Sequence, residues 1–279
     1  MSGVAKGSAG EADDQSHQAD ASGGTWIDHV ELQRDRRRRA YVIAFSLTIA
    51  LVVLIWSAGR QWDDAVTTDD MRLSATAEFK LQCRRVRDGE TTTLMMLDEA
   101  IDDEIFADAE GIDEVRIVQI DRGFLGDRSA LRIAKLPHIE QVRLRYSPVG
   151  DEGLRALSKS NSIWLLNLPQ AQCSSDGVAS LSEMPSLRSL RLGSPRLSGD
   201  VARSIEKIQS LRTLHLIGIP ITDDGLRRIA AMPRLESLYL DDTAVTDAGW
   251  RWLFKNHAHL HVHINQQHHD RDPNRHRHR

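Results

Sequence analysis

An α/β solenoid of short parallel strands backed by helices, preceded by one membrane-spanning helix, is the architecture this 279-residue sequence predicts. Three observations carry the prediction. Apolar residues return every 24 positions with no insertion. A short phrase returns with them, as VGDEGL at Val149–Leu154, ITDDGL at Ile221–Leu226 and VTDAGW at Val245–Trp250. Near the N-terminus, Ala40–Gly59 runs for 20 residues without a charge.

Taken from the N-terminus, residues 1–25 are rich in Ser, Gly, Ala and Asp and lack apolar periodicity, so they read as a disordered tail. Together with the basic run that follows they make a segment 1–39. Next comes 40–59, which as a helix rises 1.5 Å per residue and spans about 30 Å, the thickness of a bilayer's hydrocarbon. RDRRRR, Arg34–Arg39, stands before it, and Tyr41, Trp56 and Trp62 suit its two interfaces. The competing reading is a cleaved export signal cut near Ser57-Ala58-Gly59. The core is longer than a usual signal and follows a 39-residue leader. An uncleaved anchor is therefore expected, with the N-terminus cytoplasmic and the remainder on the periplasmic or extracellular side.

Residues 60–114 carry 6 Lys+Arg against 16 Asp+Glu, whereas 115–264 carry 20 against 15, so an overall net charge of -4 hides a strong segregation. The acidic part reads as a stalk and N-terminal cap. Within it, Leu94–Ala109 has helical apolar spacing through Leu97, Ile101 and Ile105, the kind of polar-faced element that closes a solenoid's end. Two cysteines, Cys83 and Cys173, make no disulfide framework and read as separate free thiols.

The repeats occupy 115–265 as six units and a terminal strand. Their first apolar column is Val115, Ile139, Ile163, Leu187, Leu211 and Leu235. Three residues on stand Val118, Val142, Leu166, Leu190, Leu214 and Leu238, and two further on Ile120, Leu144, Leu168, Leu192, Leu216 and Leu240. Apolar residues two apart point to one side of a strand. The TDDG phrase then opens a helix, with Thr222 able to cap it and Asp223 and Asp224 near the positive end of its dipole. Leu226, Ile229 and Met232 follow at helical spacing, and Pro137, Pro185 and Pro233 stop the helices. One unit cannot cover its own apolar face, but stacked units can. Residues 266–279 are a polar, His/Arg-rich tail.

This lattice resembles the bacterial 24-residue leucine-rich repeats written L-P-x-L-x-x-L-x-L-x-x-T-x-I-T-D-x-G-L-x-x-L, which MPRLESLYLDDTAVTDAGWRWL at Met232–Leu253 matches almost column by column. The resemblance covers just over half the chain and implies a leucine-rich-repeat solenoid, strands on the concave side and helices on the convex. Two units depart from it: CSSDGV replaces the phrase in 163–186, and RLSGDV loses its Asp–Gly order in 187–210.

No Gly-rich phosphate loop, nucleophile elbow or HExxH is present, and the abundant Asp and Gly sit where capping and turning explain them. A carboxylate pair among Asp121, Asp241 and Asp242 is weighed against ordinary solvated strand ends. No catalysis, cofactor or metal centre is expected. The outward columns are more informative. One reads Gln119, Arg143, Asn167, Arg191, His215, Tyr239, His263, and the column opening each strand reads Arg116, Glu140, Trp164, Arg188, Arg212, Glu236. With Arg145 beside Arg143, these form a basic stripe with aromatic points on strands about 4.8 Å apart. The competing reading is a solvated ladder in which Glu140 and Glu236 pair neighbouring arginines. Eight of the twelve histidines lie in 257–278. His261 and His263 should project outward, where a solvated tail is preferred over weak zinc, nickel or copper binding.

The expected function is non-enzymatic: a membrane-anchored repeat domain that binds a protein or an anionic surface polymer through Arg143, Arg145, Trp164, Arg188, Arg191, Arg212, His215 and Tyr239. The alternative is an envelope scaffold acting by self-association. Nucleic acid is disfavoured, because the Arg34–Arg39 run has a topological explanation and no recognition module appears.

Overall fold

The computed structural model describes residues 69–109 and 111–268, all within the second of two compact units, Thr67–Arg279. The hydrophobic run 40–59, the tail before it and the residues after His268 lie outside the described residues. No described helix is long and apolar enough to cross a membrane.

The chain begins with α1 (residues 69–87), followed by β1 (Thr93–Met96), β2 (Ile101–Asp102), α2 (Asp103–Ala107), β3 (Ile117–Ile120) and β4 (Gly123–Phe124). From there strands and helices alternate: α3 (Asp127–Ile133), β5 (Gln141–Leu144), α4 (Asp151–Leu157), β6 (Leu165–Leu168), α5 (Ser175–Ser180), β7 (Ser189–Leu192) and α6 (Ala202–Ile205). β8 (Thr213–Ile217), α7 (Asp223–Ala230), β9 (Ser237–Asp241), α8 (Asp247–Asn256), β10 (His261–Ile264) and β11 (Gln267–His268) complete it.

Among the described residues, nine strands form one sheet in the order β1-β3-β5-β6-β7-β8-β9-β10-β11. Every pair is parallel except the last, and partners stand 24 residues apart, as Leu190↔Leu214↔Leu238↔Val262 do. Along each inner strand exposure alternates, and the inward residues Leu190, Leu192, Leu214, Leu216, Leu238 and Leu240 are at most 1% exposed. The helices stack in sequence behind the sheet, α2 on α3 through to α7 on α8.

Two expectations need correction at the ends. Leu94–Ala109 is not one amphipathic helix. β1 joins the ladder in register with β3, Leu94↔Val118 and Met96↔Ile120, so the repeat lattice reaches back to Thr93. Its helix is only α2, and Leu97 is 43% exposed while Ile101 is buried on β2. The residues that close the core are on α1, whose Ala75, Phe79, Cys83 and Val86 are buried at helical spacing. Phe79 meets Phe106 with ring centroids 5.6 Å apart. At the other end, Gln267 and His268 are not tail but strand.

The returning Asp–Gly phrase joins one repeat to the next. Asp127 opens α3, yet its Oδ1 accepts the backbone N–H groups of Gly150 and Gly153, at 2.6 and 3.0 Å, at the start of α4. Those are the orphan donors of a helix N-terminus, and α4 has no side-chain cap of its own. Asp103 does the same for Gly126 and Ser129 of α3. At Ser174 and Thr246, which are themselves helix caps, the carboxylate holds the cap. Asp151 accepts from Ser174 N–H and O–H, and Asp223 accepts from Thr246 N–H and O–H. The glycine that follows is required by this packing. A Cβ at Gly177 or Gly249 would overlap the carboxylate of Asp151 or Asp223. In the two departing units the aspartate position holds Ser175 and Gly199. The second of these opens on a 3-10 turn, Gly199–Val201, ahead of the four-residue α6.

Candidate binding surface

The open face of the sheet is built by the side chains between the inward leucines. Register pairs Gln119↔Arg143↔Asn167↔Arg191↔His215↔Tyr239↔His263 across seven consecutive strands. The flanking column is equally continuous. Backbone N–H to carbonyl bonds of 2.8–2.9 Å run from Glu140 to Arg116, Trp164 to Glu140, Arg188 to Trp164, Arg212 to Arg188 and Glu236 to Arg212. All eight side chains named from the sequence therefore lie on or beside one face, but they do not act as one stripe.

Several of the charges are already neutralised. Arg116 binds the Glu140 carboxylate, and Arg212 binds that of Glu236. Arg145 turns aside to Asp121 at 3.7 Å and to the Tyr146 ring, 5.7 Å from its centroid. His215 Nε2 lies 2.8 Å from Asp241 Oδ2, both side chains largely buried. Asp121 and Asp241 thus each take a basic side chain as polar partner, Arg145 and His215, at the ends of β3 and β9, five rungs apart, and form no carboxylate pair.

What remains is a centre on β5, β6 and β7. Among the described residues Arg143, Arg188 and Arg191 have no carboxylate within ion-pair distance, and half-buried Trp164 lies in the rung before Arg188. The Arg143 side chain donates from Nη2 to Gln141 Oε1 at 2.9 Å. Three consecutive rungs hold polar atoms shut off from solvent without a hydrogen-bond partner: Arg143 Nε, Asn167 Oδ1 and Arg191 Nε. Buried polar atoms are normally paired, so three in succession on one face are unusual. Asn167 was legible as a member of the column, but its unmet acceptor was not.

The C-terminal end of the face is aromatic. Tyr239 stacks between His215 and His263, with centroids 5.5 and 4.7 Å away. The expectation for the last histidines is corrected here: His263 does not project into solvent but is 6% exposed, and His268 stands directly opposite it. A single-strand reading could not find His268, because it reaches this face only through the turn at Asn265–Gln266.

Elsewhere, an open cleft of ≈ 690 Å³ between α1 and β1 is lined by Glu78, Leu81, Arg85, Met95 and Glu99 among others, and includes none of the eight binding residues named from the sequence. Cys83 and Cys173 are both buried, and Cys173 is a free thiol. Burial pushes the Cys173 thiol up to about 11, and the nearby Asp151 charge adds to the shift.

No family model matches the chain, and no curated protein matches it. Among solved structures, the plant peptide hormone receptor RGFR1 in complex with RGF2 is similar at 14% identity and a TM-score of 0.37. The match covers 62% of this chain and 35% of the receptor chain, so this chain spans about a third of the receptor's length. The fold assignment accordingly rests on the chain's own 24-residue strand register.

Proposed function

We propose that the chain is a non-enzymatic, single-pass membrane protein whose repeat domain captures a protein or an anionic surface polymer on the non-cytoplasmic side. The contact cations are Arg143, Arg188 and Arg191, with Trp164 as the apolar anchor beside them. Arg145, Arg212 and His215 lie at the margin, already paired with acids, and Tyr239 marks the aromatic end.

One observation carries the reading: among the described residues Arg143, Arg188 and Arg191, on neighbouring rungs of the open face, have no carboxylate within ion-pair distance. A solvated ladder satisfies its donors with neighbouring acids, as Arg116 and Arg212 do with Glu140 and Glu236. The central arginines have no such acid, and guanidinium groups suit bidentate capture of carboxylate or phosphate. An anchor at 40–59 would present this face beyond the membrane, in keeping with the Arg34–Arg39 run.

The test is binding of polyglutamate to the full chain in detergent, at low and at physiological salt. The variant carries Arg143→Gln, Arg188→Glu and Arg191→Gln. Binding should fall by at least about tenfold, corresponding to about 1.4 kcal/mol. In the unaltered protein it should weaken with salt, since exposed charges are screened over about 8 Å at physiological ionic strength. Undiminished capture by the variant at low salt would refute the reading and give precedence to self-association.

A further inference from the structure

β10 and β11 form a hairpin closed by two residues, Asn265 and Gln266, with φ of 49° and 65°. Positive φ at both central positions is the primed turn whose twist matches paired strands, and asparagine is favoured at its first position. The sheet holds the turn in place: Asn265 N–H donates to Leu240 O at 3.2 Å, and Asn265 Oδ1 accepts from Asp242 N–H at 2.8 Å. The register that results pairs His263 with His268. Directly opposed residues share a face, and so do residues two apart on one strand. Backbone geometry alone therefore sets His261, His263 and His268 together.

Their side chains converge. One ring nitrogen from each lies within 4.8 Å of the other two, and the Nε2 atoms of His261 and His263 are 2.8 Å apart. Ring centroids are 4.2 Å apart for His263 and His268 and 5.0 Å for His261 and His268. Three nitrogens at about 2.0–2.1 Å from one tetrahedral ion are about 3.3–3.4 Å from each other. One separation is 2.8 Å and the others are no greater than 4.8 Å, so small side-chain rotations bring the nitrogens toward that spacing. The Tyr239 ring, 4.7 Å from His263 and 6.1 Å from His261, walls the cluster on the side of β9.

We propose that His261, His263 and His268 form a three-imidazole site for a late first-row divalent cation, of which zinc is the representative. An all-imidazole donor set suits zinc, copper and nickel and not the oxygen-seeking magnesium or calcium. The ion bridges β10 to β11, the two-residue strand that covers the last edge of the ladder, and leaves a fourth coordination position for water or an added ligand. Metal binding thereby stabilises the cover over an otherwise unpaired strand edge. This site is independent of the arginine centre on β5–β7.

The experiment uses full-length protein purified without an affinity tag, stripped with a chelator and titrated with Zn²⁺ by calorimetry. Co²⁺ serves as a visible-absorption probe of coordination geometry. His261→Gln, His263→Gln and His268→Gln are made singly, and a control carries His269→Gln, His276→Gln and His278→Gln in the tail. One ion should bind per chain and raise the melting temperature. Each single variant should lose more affinity than the roughly 10–100-fold typical when a group that merely orients a ligand is changed. The tail control should bind as the unaltered chain does, with the same cobalt spectrum. The metal-induced shift within each variant separates loss of a ligand from plain destabilisation, and His268→Gln, on the half-buried rim, guards against a folding defect at His263. The proposal is overturned if His263→Gln and His268→Gln bind Zn²⁺ within about threefold of the unaltered chain. It is equally overturned if the tail control abolishes binding.

Discussion

Replacing Gly249 by alanine places a methyl group where the Asp223 carboxylate of the preceding repeat now lies, with Val245 Cγ1 only 2.8 Å from the new carbon. The carboxylate accepts Thr246 N–H at 2.8 Å and Thr246 O–H at 2.7 Å, and displacing it loosens both. Hydrogen bonds to a charged group are worth about 1.5–3 kcal/mol. Alanine regains about 1 kcal/mol over glycine in a helix. With the crowding at Val245 added, the central expectation is a loss of about 2 kcal/mol, or about 4–8 °C at the roughly 2–4 °C per kcal/mol typical of a domain this size. Gly225 is the internal control. It occupies the same column, but the preceding repeat supplies Gly199 in place of an aspartate. The nearest atoms to its added carbon are two side-chain methyls, Ile221 Cγ2 at 3.1 Å and Ala202 Cβ at 3.2 Å. Gly225→Ala should therefore stay within about 1 kcal/mol of neutral, helix propensity offsetting the squeeze. Thermal and urea unfolding of the full chain, followed by circular dichroism, reads both. Adding Asp223→Ala to Gly249→Ala should make the pair less than additive, as expected of groups in contact. Equal shifts for Gly249→Ala and Gly225→Ala would refute the argument.

Two further outcomes follow from the register and from charge. Leu214→Ala, at a fully buried position on β8, should cost about 2–5 kcal/mol. Thr213→Ala, on the open face, should stay within about 0.5 kcal/mol; similar unfolding midpoints for the two would contradict the assigned inward face. Hydrogen bonding from Thr246 N–H holds the Asp223 carboxyl below its ordinary value against an opposing contribution from burial. A group depressed in this way stabilises the fold above its unfolded pKa of about 3.9 and loses that contribution as pH falls through the lower folded value. The stability gap between the unaltered chain and Asp223→Asn should thus be constant from neutral pH down to about pH 4 and narrow below it. A gap that widens on acidification would show that the charged carboxylate is not the stabilising form.

The inward columns could be read from the sequence because a 24-residue period reports stacking without any decision between strand and helix. The period failed at its first turn for a local reason. Thr91 stands where the later units have Val115 or Ile139, and Met95 and Leu97 added apolar residues out of phase. Acids at 98–104 then completed a pattern that resembled a helix. Asp223 and Asp224 were legible as acids at a helix start. That Asp223 holds Thr246 was not, because the partner is 23 residues away and each repeat looks self-sufficient. On the open face each residue's column and sign were legible, but not its partner. Glu236 could have reached more than one arginine, and it takes Arg212. The hairpin escaped because neither Asn265 nor Gln266 is the glycine that usually announces a primed turn.

The cross-repeat aspartate also changes what counts as an exchangeable segment. A 24-residue block cut anywhere separates each acid from the glycine it packs against 26 residues on, so compatibility belongs to the junction between blocks. Tandem copying of 211–234 would set Asp223 against a second Gly225 and create a junction like the one at Thr246–Gly249. Copying 187–210 would carry Gly199 to the acid's place and extend the stretch where neighbouring helices meet without a carboxylate between them. A chain lengthened by duplication is thereby constrained by a two-letter grammar spread over adjacent blocks. The acidic letter drops out at the middle of this chain, where Ser175 and Gly199 stand in its place.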